Sequence, residues 1–437
     1  VTALDTAFQQ LGDNARLAIA YSGGLDSTVL LHVAAANVPG DRLRAVHIRH
    51  DFSEHADEWA AHCARTCRGL GIGLRILPVV TAGDRADGPE SAGRRARYRA
   101  MADELKQDEW AATAHHARDQ AETLLLQALR GAGVAGLAGM PRVTPLGSGW
   151  LWRPWRTLER RVIAHYAQAH HLHWIDDPSN SDESLARGRL RTAVWPVLTD
   201  AFPAAERTLA RSASHVASAA EAVAALASYD LQSALVDAER LSIVRMQNLT
   251  PARRAEVLRR WLAESSLDPP SSAHVEEFER LIHARAHSGP RLVFAQTELR
   301  VYADAVYAMR PLEAPPTGTI YWSGSHSLGL PKDAGELVWH GDRPVPSLNV
   351  TFGGGGKRMV RSDGTTKRLS AWFQEKGWPP WIRQRAPLVY LGRELVAVAD
   401  AWQHPEFEHW FGENGCLEWR HALVGDPRYI ADQPPID

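Results

Sequence analysis

Residues 18–31 read AIAYSGGLDSTVLL. An apolar run, LAIAY from residue 17, leads into a segment with helical character, and two glycines, two serines and an aspartate lie between them. A strand–loop–helix unit of this kind leaves several backbone N–H groups unpaired at the helix start, where they and the helix dipole attract negatively charged oxygens. Gly23 and Gly24 permit positive φ and close backbone approach, and the hydroxyls of Ser22 and Ser27 can donate to the same oxygens. Ser22, Gly23, Gly24, Leu25, Asp26 and Ser27 are therefore expected to cradle phosphate. A carboxylate beside phosphate is repulsive, so Asp26 either caps the helix or helps to hold a bridging Mg²⁺. The string S-G-G-x-D-S arises by chance on the order of once per thousand chains of this size. A Walker A loop is absent, because TFGGGGKR at 351–358 lacks the required first glycine and the final Ser or Thr.

Working outward, short apolar runs alternate with helix-period segments up to about residue 175, the mark of a parallel sheet with crossover helices. The candidate strands are LAIAY, LRAVHI, LRILPVV and EWAATA, with helices over 27–36, 55–69, 90–105 and 119–130. The fold class expected is α/β, a doubly wound, mostly parallel, Rossmann-like sheet. Beyond Pro203 the pattern changes to Ala-rich helices, among them TPARRAEVLRRWLAE with Thr250 as N-cap and Pro251 at the first helical position. From about 317 a third region is richer in Gly, Pro and short strands, and EAPPTGTIYW at 313–322 marks the linker into it. Three domains are expected: 1–203 catalytic, 204–312 helical, and 317–437 small and mixed α+β.

At 437 residues and 45% hydrophobic, the chain can bury several cores. Three cysteines make no disulfide framework, and no apolar stretch reaches the ~18 residues of a membrane span. The N-terminal residues lack a secretory pattern, so the cytoplasm is the expected compartment. A net charge of −2 argues against coating nucleic acid with the whole surface, while leaving room for a local basic patch.

SGGLDS after LAIAY resembles the pyrophosphate loop (PP-loop) of the N-type ATP pyrophosphatases. Further stretches narrow the likeness to the tRNA(Ile)-lysidine synthetase family: AVHIRHDFSEHADEWAAHC, ESAGRRARY, TAHHARDQAETLLLQALRGAGVAGLAGM, RPW at 153–155, WIDDPSNSDESLARGRLR, and KRLSAWFQEKGWPPWIRQRAPLVY followed by ELVAVA. The resemblance covers about residue 15 to the end. It implies an ATP- and Mg²⁺-dependent ligase whose partners are L-lysine and tRNA(Ile) with a CAU anticodon. ATP adenylates the C2 oxygen of the wobble cytidine, the lysine ε-amine then attacks C2, and AMP leaves to give lysidine.

His115 and His116 follow the strand EWAATA at its carboxyl end, where doubly wound sheets place ligands, although a histidine there can also be a cap or a packed ring. Asp119 and Glu122 share one helix face, as catalytic acids or as solvated first-turn acids. Arg187 and Arg191 lie four apart and aim two guanidinium groups the same way, as Arg94 and Arg97 do within one turn beside Tyr98; such groups suit phosphates or a base. The resemblance places His116, Asp119, Glu122 and Arg187 beside Asp26 in catalysis, with Asp26 as metal ligand, and turns Arg94, Arg97 and Arg191 toward tRNA. In the third region Lys357, Arg358, Arg361, Lys367, Arg368, Arg383 and Arg385 are the candidates for tRNA backbone contact, whereas Leu369, Trp372 and Phe373 have core spacing. His62, Cys63 and Cys67 at helical spacing read as packing rather than as a metal pair.

The chain departs from the family pattern at 47–51, where His47, Arg49, His50 and Asp51 replace H-x-x-H-G. Arg118 stands in place of an Asp, Gly188 in place of an Asn, and VTFGGGGK in place of an R-F-R…G-G-E-like string. Two other readings stay open, a tRNA cytidine thiolation enzyme of the same superfamily and a non-catalytic tRNA-binding relative. A homodimer is also left open.

Overall fold

The structure is a computed structural model that describes residues 3–12, 14–50, 55–79, 89–176, 182–284, 289–323, 325–341, 346–412 and 415–424. It divides into two compact units, Val1–Ala222 and Val223–Asp437, the division falling inside one long helix. Asp51 and most of DDPSNSD lie outside the described residues.

The first unit carries a six-stranded sheet in the order β3-β2-β1-β4-β6-β5. Its strands are β1 (Leu17–Ala20), β2 (Leu43–His50), β3 (Gly73–Val79), β4 (Trp110–Ala112), β5 (Val143–Leu146) and β6 (Gly149–Trp152). All neighbours pair in parallel except β5, which runs antiparallel to β6 at one edge. Leu17, Ala18 and Ile19 of β1 are fully buried, as expected of a central strand covered on both faces. The helices are α1 (Leu25–Asn37), α2 (Ala56–Gly69), α3 (Pro89–Glu104), α4 (Ala117–Leu129), α5 (Val134–Leu137), α6 (Arg160–Ala169), α7 (Ala186–Arg189), α8 (Trp195–Ala201) and α9 (Ala205–Ala234). The chain leaves β1 toward β2 and β3 and then returns to place β4 on the other side of β1. That reversal of winding opens a crevice above the carboxyl ends of β1 and β4. Trp155 of the RPW stretch, fully buried, donates from Nε1 to the Leu4 carbonyl at 3.2 Å, and a cavity in its place would cost about 3–5 kcal/mol.

The four strands and four helices expected around the opening stretch are all present. The β5–β6 hairpin was not anticipated.

In the second unit α10 (Pro251–Glu264) has Thr250 as N-cap and Pro251 in its first turn, although the Thr250 side chain makes no capping bond. Leu258, Trp261 and Leu262 are buried with Phe278 and Ile282 of α11 (Ser272–His283) against strands of a five-stranded antiparallel sheet. That sheet spans residues 235–309 and adds to the helical region an element the sequence reading did not contain. A further five-stranded sheet over 319–403 builds the C-terminal core around Trp322, Trp372, Phe373, Trp378, Trp381 and Trp419. Leu369, Trp372 and Phe373 are core residues, as their spacing implied. Arg385 is a correction: it is 1% exposed, with Nη1 donating to the Trp381 carbonyl and Nη2 to the Glu313 carbonyl, so it cannot meet a nucleic-acid backbone. Among the described residues no helix is long and apolar enough to cross a membrane.

Candidate active site

The loop after β1 folds as a tight cradle at the crevice. Gly23 adopts φ +87°, a region open to glycine, and a Cβ there would meet Cys63 Sγ at 3.0 Å and Ile175 Cδ1 at 3.1 Å. Its carbonyl accepts the Ile175 N–H at 2.9 Å. The Gly24 carbonyl accepts the hydroxyls of Ser27 at 3.0 Å and Thr28 at 2.9 Å, and Ser22 Oγ lies 2.9 Å from Ser27 Oγ. Loop carbonyls are thereby turned inward. Gly24 is the N-cap of α1 and no side chain caps that helix, so its first-turn amides face the position an anion would take.

Asp26 does not cap α1. Its Oδ2 lies 3.8 Å from His116 Nε2 and its Oδ1 lies 3.4 Å from Arg160 Nε. Oδ1 is buried and has no hydrogen-bond partner. A buried carboxylate oxygen without a donor is costly unless something else completes it. Among the described residues no group of three or more His, Cys, Asp or Glu side chains could hold a metal alone. One carboxylate plus substrate phosphates is, however, the usual way Mg²⁺ is held, so Asp26 fits the ion.

His116 is the N-cap of α4; its backbone N–H donates to Asp119 Oδ2 at 3.0 Å, and its Nε2 lies 3.4 Å from the same oxygen. Burial works against a charged imidazole, but the Asp119 and Asp26 carboxylates outweigh it and raise the His116 pKa above its ordinary value. For Asp119, burial pushes the pKa up, while His116, His115, the His116 N–H and Arg191 together bring it down to about 2. Asp119 and Glu122 are buried and so are not solvated first-turn acids. Half-buried His115 is driven down to about 3 by desolvation, with Arg153, Arg187 and Arg94 adding to the fall and Asp119 opposing it. It is a neutral ring in cationic surroundings, with Nδ1 2.7 Å from Thr113 Oγ1.

The short π-helical turn at 190–194 aims Arg191 at the acids of α4: Nε donates to Glu122 Oε1 at 2.8 Å and Nη2 to Asp119 Oδ1 at 3.1 Å. Such turns recur at functional sites. Arg187 Nη2 donates to Thr123 Oγ1 at 3.0 Å. Asp26, His116, Asp119, Glu122 and Arg191 thus form one continuous charged row, with Arg187 beside it. Arg94 lies over the Tyr98 ring, 5.5 Å from its centroid, and its cation with that of Arg153 holds the Tyr98 pKa down against burial. Arg97 shares α3 with Arg94 and Tyr98. Sequence reasoning did not single out Arg160, Arg153 or Ile175; the only signal was the position of RPW and the segment after it.

Two departures have local explanations. Arg118 lies 3.3 Å from Glu206 Oε2 and stacks on Trp195. Gly188 admits no side chain, since a Cβ there would sit 1.8 Å from the Asp182 carbonyl oxygen. His47 is buried, with Nδ1 2.9 Å from the Tyr21 carbonyl. Cys63 and Cys67 are buried free thiols, and burial pushes them up to about 12 and about 11, which suits packing rather than ligation.

In the second unit Arg358 and Arg368 are exposed, and Lys357 and Lys367 half-buried. Lys357 Nζ donates to Thr351 Oγ1 at 2.8 Å and sits over the Tyr390 ring, Arg358 bonds Thr366, and Lys367 pairs with Glu375.

A six-stranded, mostly parallel sheet with a glycine–serine loop at its switch point defines a PP-loop ATPase domain, and residues 2–198 match the PP-loop domain family. Residues 241–307 match the TilS substrate binding domain and 348–419 the TilS substrate C-terminal domain. The tRNA(Ile)-lysidine synthase of Xanthomonas campestris pv. campestris is 39% identical over 92% of this chain and 95% of its own length. That of Alkalilimnicola ehrlichii is 39% identical over 89% and 90%. Among solved structures, the U34-tRNA thiolase NcsA from Methanococcus maripaludis aligns over 49% of this chain and 78% of its own at a TM-score of 0.40 and 16% identity, too slight a likeness to carry an argument. The chain belongs to the tRNA(Ile)-lysidine synthase family of PP-loop enzymes.

Proposed function

We propose that the protein ligates L-lysine to C2 of the wobble cytidine of the CAU-anticodon tRNA(Ile), in the cytoplasm, consuming ATP through an adenylated tRNA. The observation that carries this reading is the Ser22–Ser27 cradle with the buried Asp26 Oδ1, which accepts no hydrogen bond, beside it, in a chain that matches the family's domains along its length. In the first step the C2 oxygen of cytidine attacks the α-phosphorus, the bond to the β-phosphate oxygen breaks, and pyrophosphate leaves into the amide cradle of α1. Mg²⁺ bound through Asp26 would neutralise the phosphoryl oxygens. In the second step the neutral ε-amine of lysine forms a C–N bond to C2, the C2–oxygen bond breaks, and AMP departs with both electrons; the amine's proton passes to solvent. An amide-like oxygen leaves only once it carries the phosphoryl group, which is why ATP is consumed.

His116, whose charged form is favoured by Asp119 and Asp26, supplies positive charge beside the cradle. Asp119 and Glu122, engaged by His116 and Arg191, anchor the charged row beside the cradle, and Arg187 with Arg94 form the positive wall that suits the tRNA phosphate or the flipped base. Arg97, exposed Arg358 and Arg368, and the neighbouring Lys357 and Lys367 carry tRNA backbone contact in this reading.

The test is incubation of CAU-anticodon tRNA(Ile) with ATP and labelled lysine. Label in the tRNA that requires ATP is the expected result. Sulfur incorporation instead would make the chain a thiolation enzyme, and neither label would make it a binder.

A further inference from the structure

Glu206, in the first turn of α9, touches the site from outside the segment the sequence assigned to catalysis. Its Oε1 accepts the backbone N–H of Arg160 at 2.8 Å, at the first residue of α6, and its Oε2 lies 3.3 Å from Arg118 Nε. Arg118 in turn lies over the Trp195 ring, 5.3 Å from its centroid. No side chain of the neighbouring N-cap residue, Glu159, caps α6, so the carboxylate of Glu206 serves that helix end from a distance of 46 residues in sequence. Arg160 then carries the effect onward, because its Nε faces Asp26 Oδ1 at 3.4 Å, the buried oxygen without a hydrogen bond.

We propose that Glu206 is a positioning residue for the nucleotide loop: it fixes the start of α6, so that Arg160 is held as the counter-cation of Asp26, and Arg118 fixes Glu206. The inference rests on the reading of Ser22–Ser27 as the ATP cradle. The physical logic is electrostatic. Glu206 accepts from the main chain of Arg160 and from the side chain of Arg118, and without it the first amide of α6 loses its acceptor and Arg118 loses its carboxylate. Arg160 would then drift from Asp26, and the carboxylate would lose the cation that keeps it aimed beside the cradle. Arg118 is thereby accounted for: a cation at 118 complements Glu206, and an anion there would repel it.

The test is tRNA-dependent ATP–pyrophosphate exchange by the full chain, with KM measured separately for ATP and for tRNA. For Glu206→Ala and Arg160→Gln the expected result is a rise in KM for ATP of about tenfold, the effect of one charge-assisted hydrogen bond, with KM for tRNA unchanged. The double variant should be no worse than the more affected single one, because both act along one line of contacts. Glu206→Gln keeps an oxygen for the Arg160 N–H and should lie between parent and Glu206→Ala. Arg118→Lys should resemble the parent and Arg118→Asp should resemble Glu206→Ala. A Glu206→Ala protein with KM for ATP within twofold of the parent, or with both KM values raised alike, would overturn the proposal. Asp26→Ala in the same assay separates the two levels: loss of exchange there with no effect at Glu206 rejects only the positioning role, whereas retained exchange rejects the cradle reading and the positioning role with it.

Discussion

Arg191 grips the carboxylate of Glu122 with two prongs, Nε to Oε1 at 2.8 Å and Nη2 to Oε2 at 2.9 Å, and Glu122 has no solvent exposure at all. Burial disfavours the charged form of Arg191, but Glu122 and Asp119 more than offset this and raise its pKa. Arg191→Ala should therefore strand a buried anion and cost about 3 kcal/mol, the lower end for a broken buried pair, because Arg191 keeps some contact with water. Thermal unfolding would show it as a lowered Tm, partly restored in Arg191→Ala/Glu122→Gln. An unchanged Tm would mean that Glu122 finds another partner.

Gly188 stands where relatives of this family are expected to carry Asn. With the Asp182 carbonyl oxygen 1.8 Å and its carbon 2.5 Å from where a Cβ would be, Gly188→Asn forces backbone apart and should cost about 1–3 kcal/mol or more. Lysine transfer should fall with it, because Arg187 and Arg191 flank the position. A Gly188→Asn protein as stable as the parent would show that the 182–188 turn has room.

The His116 and Asp119 pair sets a pH window. His116 rises above its ordinary 6.5 on folding, so its contribution is complete below 6.5 and is lost as pH climbs through the raised value. Asp119 falls from 3.8 to about 2, so its contribution stands above 3.8 and is lost as pH drops toward 2. The Tm difference between parent and His116→Gln should therefore be widest between about pH 4 and 6.5 and narrow at alkaline pH. A difference that widens toward pH 9 would contradict the ion pair.

Two arginines of the C-terminal region should separate cleanly. Arg368 is exposed and Arg385 is not. Arg368→Ala should weaken tRNA binding, lower the slope of log K against log salt by about 1, and leave Tm unchanged. Arg385→Ala should lower Tm without altering that slope. The reverse pattern, seen by filter binding over a salt series, would refute the assignment.

The first unit was legible because its information is local. Leu17–Ala20, the glycine–serine loop and the apolar period of α1 each declare themselves within a few residues, and the order of such units implies the switch point above β1. The site's cross-links were not legible. Arg160 meets Asp26 across 134 residues of chain and Glu206 meets Arg118 across 88, and nothing near any of them fixes the pairing. The sheet over 235–309 escaped because its strands are three to six residues long, where propensity yields to tertiary context. Arg385 lies among surface cations in sequence, and only the packing of Trp381 and Glu313 around it reveals that it is internal.

The most direct test of the nucleotide cradle is tRNA-dependent ATP–pyrophosphate exchange by Asp26→Ala, alongside its Tm. The expected result is loss of exchange by at least about a hundredfold in a protein that still folds. Exchange at the parent's rate, in a folded Asp26→Ala protein, would contradict the account.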